Sequence, residues 1–425
     1  MNFRWVIGLL MVCLTASGHA DNWHGSVRTK LQFDNRYAPK EGDVFGESWG
    51  QFFYDDADQD LHAGVDFALR GSSRPHDNRQ ALYQAYLEKG WAGIDSRLKL
   101  GRFQRTDNLG FYLLDGATYL YQPKQTPYAV EVYAGRPSRI DHVRTIEGDY
   151  LAGFEARAGW RPEWRWENVP VTLDKVDVRG GYQHFEKKDD ASERLNFAVN
   201  AEGQFYLGAA RNYQAALSGT YRLEKSALEN IWFWGQADLT DRLRFRTSYE
   251  EYRPRDPFPT FRERFYTAYA LGEQTLWRGS FHYTPVSRFT YFLGGQQATR
   301  GRGDTGYGGQ GGASWNDYDN GLQLSGEYDY ITLGADRAHS FYLSAGKTLN
   351  SRTRIKLNTA IRFEDKQLYG ENRALGAEAE FHYMIKNNIL MFVTGSYIDN
   401  TRIPDEYLGA VQVIYYFDNF KPKTM

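Results

Sequence analysis

The chain has 425 residues, a formal net charge of -2, 16% aromatic residues and a single cysteine. The aromatic content excludes a disordered protein, and the balance of 51 basic against 53 acidic residues gives no electrostatic reason to expect a nucleic-acid partner. No apolar run approaches the roughly 20 residues of a membrane-spanning helix. The mean hydropathy of -0.64 favours a soluble protein, but a transmembrane β-barrel escapes this average because only alternate residues of its strands meet lipid.

The first twenty residues have the pattern of an export signal. Arg4 supplies the positive start, Trp5 to Leu14 form a short apolar stretch, and Gly18-His19-Ala20 places small residues at a cleavage site. We therefore expect residues 1–20 to be a cleaved signal peptide, which contains the only cysteine, Cys13. The mature chain then has no disulfide and no Cys-x-x-Cys-His haem motif, and no cofactor is expected.

Alternation of apolar and polar residues with a period of two runs through the rest of the chain. From Trp23 to Asp34 the odd positions are mostly apolar, whereas the even positions are polar or charged. The same alternation returns at 61–70, 195–202, 213–222, 354–363 and 389–397. Because successive side chains of a strand point to opposite faces, each stretch predicts a strand with one apolar face and one polar face.

Marking strands in this way predicts about 22 segments of roughly ten residues, the length of a tilted membrane-spanning strand, with 18 or 20 strands as alternatives. Long connections are expected at 35–45, 71–78, 106–110, 136–148, 253–274, 300–308, 364–373 and 400–406, and tight ones at 57–59, 123–126, 240–241, 320–321, 350–351 and 387–388. Among the tight ones, Asn320-Gly321 is typical of a two-residue hairpin turn. Two connections break the alternation, because 161–173 is too long for a turn and 224–227 is too short for a loop.

The asymmetry of the connections and the polarity of the strands favour one fold class. Short periplasmic turns and longer external loops are typical of an antiparallel up-and-down β-barrel in the outer membrane. Charges repeated on one face, such as Glu378 and Glu380, need water, which the lumen of a wide barrel supplies. The apolar face then contacts outer-membrane lipid. A secreted soluble β-protein is the alternative.

The last predicted strand carries a resemblance to bacterial outer-membrane barrels of the porin type. Val411, Val413, Tyr415 and Phe417 alternate and end on an aromatic residue, as the last strand of that class does. The chain departs from the class because residues 418–425 follow as a short tail. The resemblance implies a barrel over residues 21–417, located in the bacterial outer membrane.

The size of such a barrel bears on what fills it. Twenty-two strands tilted by about 40° close into a barrel with a backbone diameter on the order of 44 Å, which side chains cannot fill. The long connection 253–274 is rich in proline and aromatic residues, and we expect it to fold into the mouth as a constriction. The alternative is an extracellular contact between loops or subunits. The constriction residues of this hypothesis are Phe258, Phe261, Arg262, Arg264 and Phe265.

The polar faces of the predicted strands define a second hypothesis, a charged lumen. The candidate pore-lining residues are Arg28, Lys30, Arg97, Lys99, Arg242, Arg244, Arg246, Arg278, Arg288, Arg354, Lys356, Glu378 and Glu380. An arginine-rich arc opposed by carboxylates sets a transverse field that orients zwitterionic or anionic solutes. The alternative is that these arginines simply pair with carboxylates of the wall.

Other motifs predict little chemistry. The acidic cluster at Asp55 to Asp60 lacks the turn glycine and distal glutamate of a calcium loop, so we expect no metal site. Ser280 and His282 share one polar face, but a hydrolase needs them at the lipid side with an orienting partner. The chain is therefore not expected to be an enzyme.

Three functions follow as hypotheses. The favoured one is a porin-like channel for passive passage of small hydrophilic or anionic solutes. The second is a barrel sheath that holds a periplasmic or lumenal protein partner, such as a multihaem cytochrome in an electron-transfer conduit. A polysaccharide-export barrel is the third.

Overall fold

The computed structural model describes the chain from residue 23 to residue 417 with interruptions. The described ranges are 23–35, 42–72, 79–107, 110–138, 149–162, 164–165, 171–187, 190–206, 208–252, 274–300, 305–333, 336–368, 371–399 and 405–417. The predicted signal peptide, the tail after Phe417 and all five predicted constriction residues lie outside these ranges. Within them, no helix is long and apolar enough to cross a membrane.

The described residues form twenty-two long strands and one strand of two residues. The strands are β1 Trp23–Asp34, β2 Asp43–Asp56, β3 Leu61–Ser72, β4 Arg79–Trp91, β5 Ser96–Asp107, β6 Gly110–Tyr121, β7 Tyr128–Ser138, β8 Tyr150–Trp160, β9 Trp164–Arg165, β10 Val171–Lys187, β11 Asp190–Tyr206, β12 Ala210–Arg222, β13 Ala227–Asp238, β14 Leu243–Tyr252, β15 Gln274–Val286, β16 Phe289–Arg300, β17 Thr305–Asp317, β18 Leu322–Leu333, β19 Asp336–Asn350, β20 Thr353–Leu368, β21 Glu371–Lys386, β22 Ile389–Asp399 and β23 Glu406–Phe417.

These strands close into one antiparallel barrel. Each long strand pairs with its neighbours in sequence, and β1 pairs with β23 in a register that sets Gly25 opposite Phe417. Closure satisfies the backbone hydrogen bonds of every strand and leaves no free sheet edge, which a lipid environment requires. The predicted fold class and the count of 22 are confirmed.

The two connections that broke the predicted alternation have local explanations. The connection after β8 contains the short strand β9, which pairs with β10 by setting Arg165 opposite Thr172. The connection after β12 is the turn 223–226, where the Ser226 N–H donates to the Leu223 carbonyl over 3.1 Å. Both connections therefore fit an up-and-down barrel. The first lies where β8 ends, at the short-turn end of the barrel, and the second lies where β13 begins, at the opposite end.

Several strands run further than the hydropathy pattern indicates. The residues 364–373, predicted as a long loop, instead end β20 at Leu368 and begin β21 at Glu371. The loop 106–110 likewise reduces to two residues between β5 and β6. Strand pairing continues past the membrane because in water both faces of a strand can be polar, so the alternation stops before the strand does.

The predicted hairpin at Asn320-Gly321 is a turn of four residues, 318–321. Gly321 has a φ of 61°, whereas Asn320 is not among the described residues with positive φ. The two-residue turn needs positive φ at both positions, so that turn type is wrong here. The Asn320 side chain instead donates to Asp317 Oδ2 over 2.7 Å, which fixes the longer turn.

Candidate functional site on the inner wall

Burial identifies which face of the barrel is concave. Large apolar side chains on one face are widely exposed, such as Leu293 at 72%, Leu343 at 60% and Leu31 at 58%. Polar side chains on the other face are enclosed, such as Asn358 at 1% and Glu155 at 7%. A soluble protein has the reverse arrangement. The polar face is therefore the inner wall, and the exposed apolar face is the outer belt that meets lipid.

Strand register sets most of the predicted residues on this inner wall. Cross-strand pairs on the polar face join Lys99 with Glu88, and Lys356 with Glu380. The same face carries Arg28, Lys30, Arg97, Arg244, Arg246, Arg278, Arg354 and Glu378.

Two predicted residues lie outside the strands. Arg242 is exposed in the turn 239–242, which precedes β14. Arg288 lies in the turn 287–288 and forms ion pairs with Asp317, at 3.6 Å, and with Asp319. Both arginines therefore belong to the rim that carries the short turns, and alternation along a strand does not fix their direction.

Arg97 and Lys99 of β5 and Lys356 of β20 are neutralised locally. Lys99 Nζ lies 2.8 Å from one carboxylate oxygen of Glu88, and Arg97 Nε lies 3.2 Å from the other. Lys356 Nζ lies 3.3 Å from Glu380 Oε1. These contacts match the alternative reading of the sequence, in which basic side chains pair with carboxylates of the wall.

A hydrogen-bond network fixes the acidic part of the wall on β19 to β21. The Asn358 amide donates to Glu378 Oε1 over 3.1 Å and accepts from Ser344 Oγ over 2.8 Å and from the Tyr342 hydroxyl over 3.0 Å. Because its hydrogen-bonding groups have partners, Asn358 can be almost completely buried. The network holds the Glu378 carboxylate in place.

Two further basic residues have neutral partners. The Arg28 guanidinium lies over the Trp49 ring, 4.5 Å from its centroid. The Arg354 guanidinium donates to Gln323 Oε1 over 2.9 Å. Neither contact removes the positive charge, so both side chains still contribute to the field at the wall.

The arginine-rich arc lies on β14 and β15. Arg244 Nε lies 2.5 Å from Asp238 Oδ1, and Arg278 Nε donates to Gln296 Oε1 over 3.4 Å. Arg246 lies between neutral cross-strand neighbours, Gln236 and Ser280.

Arg246 differs from the paired cations of β5 and β20. Its side chain is exposed, and within the described part of the chain it has no ion pair, hydrogen bond or ring contact. Water in the lumen solvates such a guanidinium, and its charge stays available to a passing anion.

Ser280 and His282 are brought together, but without the rest of a hydrolase site. Ser280 Oγ lies 3.0 Å from His282 Nε2, and the imidazole stacks on Phe292 with centroids 5.6 Å apart. No carboxylate of the described residues contacts the imidazole in a way that could orient it. Both residues lie on the inner wall and not on the lipid side of the barrel.

The alternation of polarity misses two tryptophans of the inner wall. Trp232 is opposite Ser218, and Trp234 is opposite Ala216, on the polar face of β12 and β13. On the outer face, Ile231 precedes Trp232 and Phe233 lies between the two tryptophans. Both faces of this part of β13 are therefore apolar, and its sequence shows no alternation of polarity. Strand register with β12 and β14 assigns the tryptophans to the inner wall, next to the strand that carries Arg246.

The acidic cluster Asp55 to Asp60, at the end of β2 and in the turn that follows it, contacts basic side chains of the protein itself. Asp55 and Asp60 both contact the His62 imidazole, with a distance of 3.2 Å between His62 Nε2 and Asp60 Oδ1. The Asp60 carboxylate also lies 3.3 Å from Arg97. In the described residues, no group of three or more His, Cys, Asp or Glu has the arrangement of a metal site.

Comparisons with known proteins bear on the fold alone. No protein-family model and no curated protein matches the chain. The siderophore receptor PirA from Pseudomonas aeruginosa is similar in structure, with a TM-score of 0.56 and 10% identity over 94% of this chain and 80% of that one. A mutant form of the ferric enterobactin receptor PfeA, from the same organism, gives 0.55 and 10% over 94% and 81%.

A third similar structure, OccD3 from Pseudomonas aeruginosa, has a TM-score of 0.43 and 9% identity over 94% of this chain and 93% of that one, a score too low to carry an argument. The closed barrel and its exposed apolar belt agree with the two receptors in fold. The chain is a 22-stranded antiparallel β-barrel of the bacterial outer membrane.

Proposed function

We propose that the barrel is a channel for the passive passage of small hydrophilic solutes, and that the arc of Arg244, Arg246 and Arg278 favours anions among them. The observation that carries the proposal is Arg246, an exposed inner-wall cation without a described acidic partner. Its neighbours in register, Gln236 and Ser280, are neutral. The local field at this part of the wall is therefore positive.

The pairing of charges along the inner wall supports an anion preference that arises locally, at the arc. On β5, Arg97 and Lys99 share Glu88, and on β20 Lys356 lies beside Glu380. Fields of such pairs largely cancel within a Debye length, which is about 10 Å at 0.1 M salt. Arg246 has no acidic partner among the described residues, so its charge is not cancelled in this way and selectivity depends on it more than on the paired cations.

The test is the reversal potential of the purified barrel in a planar bilayer under a KCl gradient. Arg246→Glu is expected to shift the reversal potential toward cation preference, and the shift is expected to be largest at low salt because screening is weakest there. Arg373→Gln is the control, because Arg373 lies opposite Phe363 on the outer face and its charge does not line the lumen.

Two outcomes contradict the proposal. A folded wild-type barrel without conductance is not an open channel. An Arg246→Glu barrel that is folded, conducts and keeps the wild-type reversal potential at low salt shows that the arc does not select anions.

A further inference from the structure

The outer face of β5 to β7 carries charges where the rest of the apolar belt meets lipid. Register sets Arg102 opposite Asp115, and Asp115 opposite Arg136, on the outer face. One step toward the short-turn end, the same face carries Leu100, Ala117 and Ala134. The three charged residues, called here the outer triad, interrupt the apolar belt.

The inner face behind the outer triad is apolar. Phe103, Tyr112, Leu114, Tyr133 and Leu151 form a buried cluster on the inner wall. Leu114 and Leu151 are fully buried. The normal polarity of the barrel is thus inverted at the level of the triad, because charges lie outside and the inner side chains directly behind them are apolar. The ion pair of Arg105 and Glu131 lies beside this cluster on the inner wall. An inverted sector predicts that its outer face meets a polar group rather than acyl chains alone.

Two members of the outer triad hold each other in place. Arg102 makes a bidentate pair with Asp115, with distances of 2.5 and 2.6 Å, and donates to the Leu82 carbonyl over 3.0 Å. In this geometry the guanidinium of Arg102 binds both carboxylate oxygens of Asp115. The pair is neutral and is fixed at the barrel surface.

Arg136 adds a positive charge to this pair and has no acidic partner of its own among the described residues. It is exposed, and its side chain has no contact among the described residues. It lies two residues before the end of β7, at the end of the barrel that carries the longer connections. Arg102 and Asp115 lie five residues from the external ends of β5 and β6. An arginine on the lipid face costs about 2–4 kcal/mol at the midplane and close to zero near the interface, so a head group within reach of the two arginines would lower the cost of the triad.

We propose that the outer triad binds the phosphate of a lipid in the outer leaflet. Two arginines and one aspartate give the triad a net charge of +1, which complements an anionic head group. Gln104 and Ser138 lie one step further out on the same face and offer hydrogen-bond donors to the head group. Leu100, Ala117 and Ala134 offer a smooth apolar surface to its acyl chains.

Native mass spectrometry of the purified barrel, titrated with bisphosphorylated lipid A, tests the site. We expect a lipid adduct on the wild-type barrel and about tenfold weaker binding for Arg136→Gln, the loss typical of one charge-assisted hydrogen bond. Arg136→Lys is expected to retain part of the affinity. Arg373→Gln is the matched control, because Arg373 is an outer-face arginine without the neighbouring Arg–Asp pair.

Three results overturn the proposal. Equal binding of dephosphorylated lipid A shows that phosphate is not recognised. Equal losses in Arg136→Gln and Arg373→Gln show unspecific attraction to surface charge. Disulfide-linked dimers of a Gln104→Cys variant in native membranes assign the surface to a second copy of the chain instead of a lipid.

Discussion

Arg105 on β5 is an enclosed cation of the inner wall, in the same sector as the apolar cluster. Its side chain is 7% exposed, lies 2.9 Å from Glu131 Oε1 and stacks 3.5 Å from the centroid of the Tyr133 ring. Thr118 also donates to Glu131, over 2.8 Å. A buried charge needs such partners because desolvation is costly, and removing one partner leaves the other charge uncompensated.

We expect Arg105→Met to lower the free energy of unfolding by about 3 kcal/mol, because Glu131 loses its closest cation. Urea unfolding in lipid vesicles, followed by tryptophan fluorescence, measures the change. The double variant Arg105→Met/Glu131→Gln is the control and should recover most of the loss, since it removes both charges. Equal stability of the wild type and the single variant would show that the pair contributes nothing.

Turns between strands depend on backbone conformation at single glycines. Gly321 has a φ of 61°, and a Cβ added there would lie 2.9 Å from Thr348 Cβ and 3.1 Å from the Thr348 carbonyl oxygen. The Gly321 carbonyl also accepts a hydrogen bond of 2.8 Å from the Thr348 N–H, which ties the turn 318–321 to the end of β19.

Gly321→Ala is expected to cost about 1–2 kcal/mol, because an L-residue is strained at positive φ. The same urea titration measures this cost. Gly93→Ala is the matched control in the turn 92–95, since an added Cβ at Gly93 meets no atom within 4 Å and its φ is not in the strained region. A similar small effect in both variants would contradict a special role for Gly321.

At the level of strands, the sequence predicts elements well where one face is polar and the other is apolar. β1 and β20 follow this rule, and their inner-face residues could be named in advance. β13 does not, because Trp232 and Trp234 make its inner face as aromatic as its outer face. β5 and β6 break the rule in their central parts, where Arg102 and Asp115 point outward.

These exceptions have physical causes that alternation cannot detect. Bulges shift the register, as between Asp66 and Phe67 on β3, and the face of a residue then depends on its neighbours across the sheet. Pairing partners such as Glu88 for Lys99 come from different strands. The charge environment of Arg246 likewise depends on its cross-strand neighbours Gln236 and Ser280, which alternation along β14 does not identify.

The barrel as a whole is arranged so that each strand presents one face to lipid and one to the lumen, and two adjacent positions on β12 test this arrangement. Leu217 is opposite Phe233 on the outer face, whereas Ser218 is opposite Trp232 on the inner face. Arginine at position 217 has to enter the apolar belt, at a cost of about 2–4 kcal/mol near the midplane. Arginine at position 218 reaches lumenal water instead.

We therefore expect Leu217→Arg to unfold at lower urea concentration and to give less of the folded, heat-modifiable band on a denaturing gel. Ser218→Arg is the matched control and should fold like the wild type, because it adds the same side chain to the same strand one position away. If both variants fold equally well, this part of β12 does not face acyl chains. If only Ser218→Arg fails to fold, the assignment of inner and outer faces is reversed, and the arginine arc then lies on the lipid side.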